Sequence, residues 1–221
     1  MVKASIFDLD GNEVASQRVK LHTVYPGHDR VERDYSELST GVYAVIRNVL
    51  EHFEPGAKAI EGIGVTGQAN GLYLFDAGGN PLRRAILSSD MRAKKLVEQW
   101  NEDGTYLRIL PKTRQALWAG QTAVLMSWFI RYEPEVLNET ETCVTAMDYV
   151  RYLLTGEFCM EETQRSSMSI VDLNTGLLSE EVALELGIKS CLKKFPGKVV
   201  GSTEICGKVT GEAAKHTGLQ E

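Results

Sequence analysis

GIGVTGQANGLYLFDAGGNPLRRAILSSDMRA, residues 62–93, is the segment from which the fold of this chain is most directly predicted. Short apolar runs lie at 60–66, 72–75 and 82–87, and glycine, aspartate or serine follows each run. Residues of these types favour turns, so the pattern predicts three β-strands separated by tight connections. The polar stretch Asp76–Asn80 predicts a hairpin between the second and third strands.

A second hairpin is predicted near the start of the chain, where the same pattern occurs again. Ile6–Asn12 reads IFDLDGN and resembles Leu74–Asn80, which reads LFDAGGN. Gly and Asn tolerate the positive φ that tight hairpin turns require. Extended residues flank both turns, so strands are predicted over Lys3–Phe7 and from Glu13 to His22.

Helices are predicted mainly in the rest of the chain. Asp34 and Glu37 fit a capping box at the start of a helix whose apolar residues recur at helical spacing up to Phe53. Pro55 and Gly56 end that helix. Further helices are predicted at 91–103, 121–131, 146–154, 179–187 and 211–217, with extended residues at 199–209. Strands and helices alternate without a low-complexity linker, which predicts one α/β domain.

Composition excludes several classes of protein. The chain has 221 residues, of which 43% are hydrophobic, and a net charge of −6. This apolar fraction argues against disorder, and the negative charge argues against sequence-independent nucleic-acid binding. No apolar run approaches the roughly 18 residues of a membrane span, and no signal sequence is recognisable. The four cysteines lack metal-site spacing. These features predict a cytoplasmic protein that binds neither nucleic acid nor membranes.

Two motifs resemble known catalytic or cofactor-binding signatures. Phe7–Gly11 (FDLDG) is similar to the start of dehalogenase-type phosphatases, in which Asp8 and Asp10 would be nucleophile and acid–base. In that motif Thr or Val usually follows, whereas Asn12 follows here. An exposed hairpin turn is therefore the favoured interpretation. Residues 62–67 match GxGxxG, but an extended run follows instead of the helix that a dinucleotide site requires.

Two polar segments at predicted strand ends are candidates for ligand binding. The Gly67–Gly71 bend carries two amide side chains, and Ser88–Arg92 carries two hydroxyls and a carboxylate. Such groups suit a polyhydroxy ligand, because each can bond to adjacent hydroxyls. The alternative for the second segment is a helix start capped by Asp90. Trp118 could supply an apolar wall beside Gln121, or it could be a core residue.

Five segments, in order and at natural spacings, resemble the N-terminal domain of the FGGY family of carbohydrate kinases. They are residues 3–15, 62–93, 128–137, 147–156 and 200–219. Within the family, residues 88–93, 113–120 and 201–207 are most similar to the L-xylulose kinases. D-xylulose kinases usually carry Trp and Asn where this chain has Ser88 and Ser89.

The resemblance implies an actin-like, ribonuclease-H-like domain over residues 1–221, with a mixed β-sheet and flanking helices. It implies ATP-dependent phosphorylation of a ketopentose, most like L-xylulose, with Mg²⁺ neutralising the transferred phosphate. By position in the family's segments, the sugar-binding residues would be Gln68, Ala69, Asn70, Ser88, Asp90, Gly120 and Gln121.

Two departures from the family pattern carry their own expectations. The family's phosphate-binding turn and first central strand precede the part that matches Met1, and its catalytic Asp and ATP-binding domain follow the part that matches Glu221. We therefore expect no catalytic residue in this chain and no kinase activity from it alone. Without the family's first central strand, the sheet would have a gap between neighbouring strands. We therefore expect that this chain aggregates, forms a homodimer or belongs to a longer chain. The alternative is a truncated, non-catalytic sugar-binding domain.

Overall fold

The computed structural model of this chain describes residues 1–221, with eleven β-strands and nine α-helices. The strands are β1 (Val2–Phe7), β2 (Glu13–Val19), β3 (Val24–Gly27), β4 (Arg30–Arg33), β5 (Tyr73–Phe75), β6 (Ala85–Ile86), β7 (Thr142–Val144), β8 (Met160–Glu161), β9 (Val171–Asp172), β10 (Leu177–Leu178) and β11 (Val199–Val200). The helices are α1 (Tyr35–Glu51), α2 (Lys94–Glu102), α3 (Thr105–Thr113), α4 (Thr122–Tyr132), α5 (Pro134–Glu139), α6 (Ala146–Thr155), α7 (Glu162–Ser166), α8 (Glu180–Glu185) and α9 (Gly211–Thr217).

The strands form five small sheets. Four are antiparallel, namely β1–β2, β3–β4–β6, β5–β7 and β9–β10, and the fifth is the parallel pair β8–β11. Both parallel and antiparallel pairs are present and helices are interleaved with them, so the predicted α/β class is confirmed. The strands are nevertheless divided among small sheets instead of lying in a single mixed sheet.

The two predicted hairpin turns have the same hydrogen bonds. The Asp8 N–H donates to the Asn12 carbonyl (3.0 Å), and the Asp76 N–H donates to the Asn80 carbonyl (2.9 Å). In each turn the aspartate carboxylate accepts the asparagine backbone N–H at 2.8 Å. A glycine with positive φ, 87° and 77°, precedes each asparagine. The similarity between the two segments therefore reflects one turn geometry used twice.

Helices and strands pack around two hydrophobic clusters. The larger has 27 buried residues and surrounds α4, in which Thr122 to Phe129 are all buried. The smaller has nine and lies between α1, β5 and α6. In it the Tyr35 ring stands edge-on to the rings of Phe75 and Tyr149, at 5.2 and 5.1 Å between centroids. None of the helices is long and apolar enough to cross a membrane.

The predicted capping box at the start of α1 is wrong. Asp34 stands at the N-cap position, but its carboxylate pairs with Arg84 at 2.8 Å instead of capping the helix. Glu37 accepts the backbone N–H of His22 at 2.6 Å. Long-range partners therefore take both carboxylates, and a capping box occurs instead at the start of α6.

The predicted strand at 60–66 is also absent. Glu61–Asn70 takes part in no backbone–backbone hydrogen bond, and Ile63 is 43% exposed. The segment has the composition of a strand but no neighbouring strand to pair with. The predicted helix at 91–103 begins only at Lys94, and the predicted extended residues at 199–209 form a strand only at β11. The sequence reading missed three helices (α3, α5 and α7), the β3–β4 and β9–β10 pairs, and the strands β7 and β8.

Candidate functional site

Three of the predicted binding segments meet at one place on the surface. The Gly71 N–H donates to the Gly120 carbonyl at 3.0 Å. A Cβ atom placed on Gly120 would lie 1.7 Å from the Ser88 carbonyl oxygen, so the two backbones are in contact. The exposed Gln68 amide donates to the Ser88 hydroxyl. Gln68 and Ala69 thus lie beside Ser88 and Gly120, and we call this place the convergence site.

Asn70 anchors the bend to the core. It has a left-handed backbone conformation, with φ 62°, and its side chain is almost fully buried. Its Oδ1 atom accepts the Thr122 N–H at the start of α4 (3.3 Å), and its Nδ2 atom donates to the Ser167 hydroxyl (3.2 Å). Asn is among the few residues that adopt this conformation readily, so the Asn-Gly pair explains the local geometry.

Gln121 is 1% exposed and its amide is engaged on both sides. Its oxygen accepts the Trp118 backbone N–H at 3.1 Å. Its nitrogen donates to the Ser169 hydroxyl at 2.8 Å and to the Gln115 oxygen at 3.3 Å. The amide therefore bonds to protein groups, and a direct sugar contact by Gln121 stays a prediction.

Asp90 lies behind Ser88 and has no exposed surface. Its carboxylate accepts the Val31 N–H at 2.7 Å and the Arg92 guanidinium at 2.8 Å, and Arg92 also pairs with Glu32 at 2.6 Å. Burial alone would lower the pKa of Arg92, but the hydrogen bonds that it donates to the carboxylates of Asp90 and Glu32 raise it. The network fixes the segment that carries Ser88, while the predicted sugar contact by Asp90 stays a prediction. Asp90 is not the cap of α2, whose N-cap residue is Ala93.

Trp118 provides an aromatic surface at the convergence site. Its side chain is 40% exposed, so the alternative that placed it in the core is wrong. Its ring lies against Gly120, since a Cβ atom there would lie 2.7 Å from the indole Cζ3 atom. Buried Leu117 and Ala119 on either side fix the backbone beneath it. The exposed indole face can pack against the C–H face of a sugar ring or chain.

The sequence reading missed three residues of this region: Gln115, Ser167 and Ser169. Gln115 lies within residues 113–120, which resemble the L-xylulose kinases, so the sequence does contain a signal for Gln115. Ser167 and Ser169 lie 97 and 48 residues from their partners Asn70 and Gln121. No local pattern predicts contacts over such separations.

The residues of this chain do not form a site that fits Mg²⁺ or a nucleotide. No group of three or more His, Cys, Asp or Glu side chains could hold a metal ion. No GxxxxGK[ST] phosphate loop occurs in the sequence. Asp8 and Asp10 lie on the exposed first turn, and Asp8 is bonded there to Asn12. The phosphatase alternative needs a carboxylate pair at the end of a buried strand, and that geometry is absent.

Comparison with known proteins identifies the family. The family model for the N-terminal domain of the FGGY family of carbohydrate kinases matches residues 1–221. The chain is 38% identical to an L-xylulose/3-keto-L-gulonate kinase of Escherichia coli and 35% identical to a probable L-xylulose kinase of Pasteurella multocida. Each match covers 99% of this chain but only 44% and 45% of the relatives, so the chain spans less than half of their length.

Solved structures agree with this assignment. A protein from Brucella ovis described as a xyloylose kinase superposes with a TM-score of 0.88 at 25% identity, over 99% of this chain and 44% of that one. The match extends along the whole chain in both sequence and fold, and it includes the segments that meet at the convergence site. The chain therefore belongs to the FGGY family of carbohydrate kinases and corresponds to its N-terminal domain.

Proposed function

We propose that this chain supplies the sugar-binding part of an ATP-dependent kinase that phosphorylates a ketopentose, with L-xylulose as the preferred substrate. The observation that carries the proposal is the convergence of Gln68, Ser88 and Gly120 beside the exposed Trp118 ring. Two relatives support the choice of sugar, one named as an L-xylulose/3-keto-L-gulonate kinase and the other as a probable L-xylulose kinase.

The chemistry of this surface suits an uncharged sugar. Gln68 presents an exposed amide, Ser88 and Ser89 present hydroxyls, and Trp118 presents an apolar face. Amides and hydroxyls can bond to neighbouring sugar hydroxyls as donor and acceptor at once. The charged groups nearest to Ser88 in sequence, Asp90 and Arg92, are buried and paired with each other. The side chains of Gln68, Ser88 and Ser89 themselves carry no charge.

The proposed division of labour follows from the residues present. This chain binds and orients the sugar and shields one of its faces from water. In the family, ATP supplies the phosphoryl group and Mg²⁺ neutralises its charge. No residue of this chain is proposed as the general base, so we expect the chain alone to bind sugar without phosphorylating it.

Isothermal titration of the 221-residue chain with L-xylulose and D-xylulose tests the proposal. We expect tighter binding of L-xylulose, and Gln68→Ala should weaken it about tenfold through loss of hydrogen bonds. Gln99→Ala is the matched control, because Gln99 is an exposed glutamine of α2 that bonds to Arg131. Absence of binding to both sugars, or equal loss in the two variants, would refute the proposal. ATP-dependent phosphorylation by the chain alone would refute its division of labour.

A further inference from the structure

The loop Ser166–Ser169, which begins at the last residue of α7, contacts both sides of the convergence site. The Ser167 hydroxyl accepts the Asn70 amide at 3.2 Å and donates to the Gln164 carbonyl at 2.7 Å. Two residues later, the Ser169 hydroxyl accepts the Gln121 amide at 2.8 Å. One short loop is therefore bonded to the bend that carries Gln68 and to the turn that carries Trp118.

On the side of the site that carries Trp118, the hydrogen bonds form a closed ring through Gln115 and Gln121. Gln121 accepts the Trp118 N–H and donates to the Gln115 oxygen, and the Gln115 amide donates to the Ser166 carbonyl at 2.9 Å. The backbone carbonyl of Met168 also accepts the Ala123 N–H, in the first turn of α4, at 3.3 Å. The loop is thus held at its beginning through Gln115 and at its end through Gln121, and both glutamines belong to the turn with Trp118.

Backbone conformation indicates that this arrangement is imposed by the surroundings. Only three non-glycine residues of the chain have positive φ: Asn70, Arg114 and Ser169. Two of them make the bonds just described, and Arg114 directly precedes Gln115. Such conformations are sparsely populated and persist where the neighbouring structure fixes them, often at functional sites. Ser169 is moreover fully buried, so its hydroxyl is directed at Gln121 and not at solvent.

We propose that Ser167 and Ser169 are positioning residues that set the separation between Gln68 and the Trp118 ring. This inference rests on the proposed function, since that separation determines which ketopentose fits. Neither hydroxyl touches the sugar. Ser167 acts through Asn70, and Ser169 acts through Gln121, whose bond to the Trp118 backbone fixes the indole.

The test compares Ser167→Ala and Ser169→Ala with Ser166→Ala. Ser166 is the matched control, because its hydroxyl donates to the Glu162 carbonyl within α7 and contacts neither side of the site. Two quantities are measured in the 221-residue chain: quenching of tryptophan emission by acrylamide, and the Kd for L-xylulose and D-xylulose. Trp118 is 40% exposed whereas Trp100 and Trp128 are buried, so quenching reports mainly on Trp118.

We expect Ser169→Ala to change the quenching of Trp118 and to raise the Kd for L-xylulose about fivefold, as for loss of one hydrogen bond. Ser167→Ala should raise the Kd without changing the quenching, since it acts on the other side. Ser166→Ala should leave both quantities as in the unmodified chain. A lower preference for L-xylulose over D-xylulose in the first two variants separates positioning from a loss of folded protein.

Two outcomes would overturn the inference: quenching and Kd unchanged in Ser169→Ala, or equal changes in Ser166→Ala. If Ser169→Ala does not fold, Ser169→Gly replaces it, because glycine accepts the positive φ and also lacks the hydroxyl. If the unmodified chain binds neither sugar, the proposed function fails. The contrast in Trp118 quenching between Ser169→Ala and Ser166→Ala then still decides whether Ser169 fixes the indole.

Discussion

Gly120 is the most tightly enclosed glycine of the convergence site. A Cβ atom there would lie 1.7 Å from the Ser88 carbonyl and 2.7 Å from the Trp118 ring. We expect Gly120→Ala to lower the free energy of unfolding by about 2–3 kcal/mol, because two backbone segments would have to separate. Gly64→Ala is the control, since no atom lies within 4 Å of the added methyl group. Urea unfolding measures the free energy of unfolding of both variants. Equal values for Gly120→Ala and Gly64→Ala would contradict this expectation.

At the scale of residues, the sequence predicts a site only where the signal is local. Gln68, Asn70 and Ser88 are recognisable because they lie within four residues of the end of an apolar run. The burial of Asp90 and Arg92 in one bonded network is not recognisable. Their further partners, Val31 and Glu32, lie about sixty residues away in the chain. Burial and saturation of hydrogen bonds are therefore the properties that sequence patterns alone leave open.

Glu161 ties three elements together and should make their stability depend on pH. It ends β8 and caps α7, where it accepts the N–H groups of Thr163 (3.0 Å) and Gln164 (2.9 Å) and the hydroxyl of Ser202 (2.8 Å). Burial raises the pKa of Glu161, but these hydrogen bonds and that of the Thr163 hydroxyl outweigh it and lower the pKa from 4.5 to about 2. Because the folded pKa is the lower one, the carboxylate stabilises the fold above pH 4.5 and loses this effect as the pH falls toward 2.

We therefore expect Glu161→Gln to be less stable than the unmodified chain by a constant amount above pH 4.5, with the difference shrinking at lower pH. Chemical unfolding at pH 7, 4.5 and 3 measures that difference. Glu162→Gln serves as the control, because Glu162 is an exposed neighbour in α7. A difference for Glu161→Gln that stays constant down to pH 3 would show that the charge of Glu161 is not what holds these elements.

Among the elements, those with a complete local pattern were predicted best. The spacing of apolar residues predicted α1, and α9 has the predicted bounds, with the Thr210 hydroxyl accepting the Ala213 N–H. In contrast, α3 was missed because it contains Pro111, a residue that usually interrupts helices. At residues 60–66 the error is the opposite one, because a strand is predicted and none forms. Strand composition is local, but a strand also needs a partner, and pairing is a property of the whole fold.

The whole molecule exposes backbone that strands normally pair. β1 is hydrogen-bonded only to β2, and Glu61–Asn70 takes part in no backbone–backbone hydrogen bond. Large apolar side chains on both segments are exposed as well, with Phe7 at 58% and Ile63 at 43%. Unpaired strand edges with apolar side chains favour association with other chains.

We therefore expect the purified 221-residue chain to self-associate and to melt below about 60 °C, within the range of ordinary mesophilic domains. Light scattering over a range of concentrations measures the association. Hydrogen exchange locates it: amides of Glu61–Asn70 should exchange fast in dilute solution and become protected as the concentration rises, while those of the buried α4 stay protected throughout. A monomer that melts cooperatively above that temperature, with Glu61–Asn70 protected at every concentration, would mean that these backbone groups find partners within a single chain.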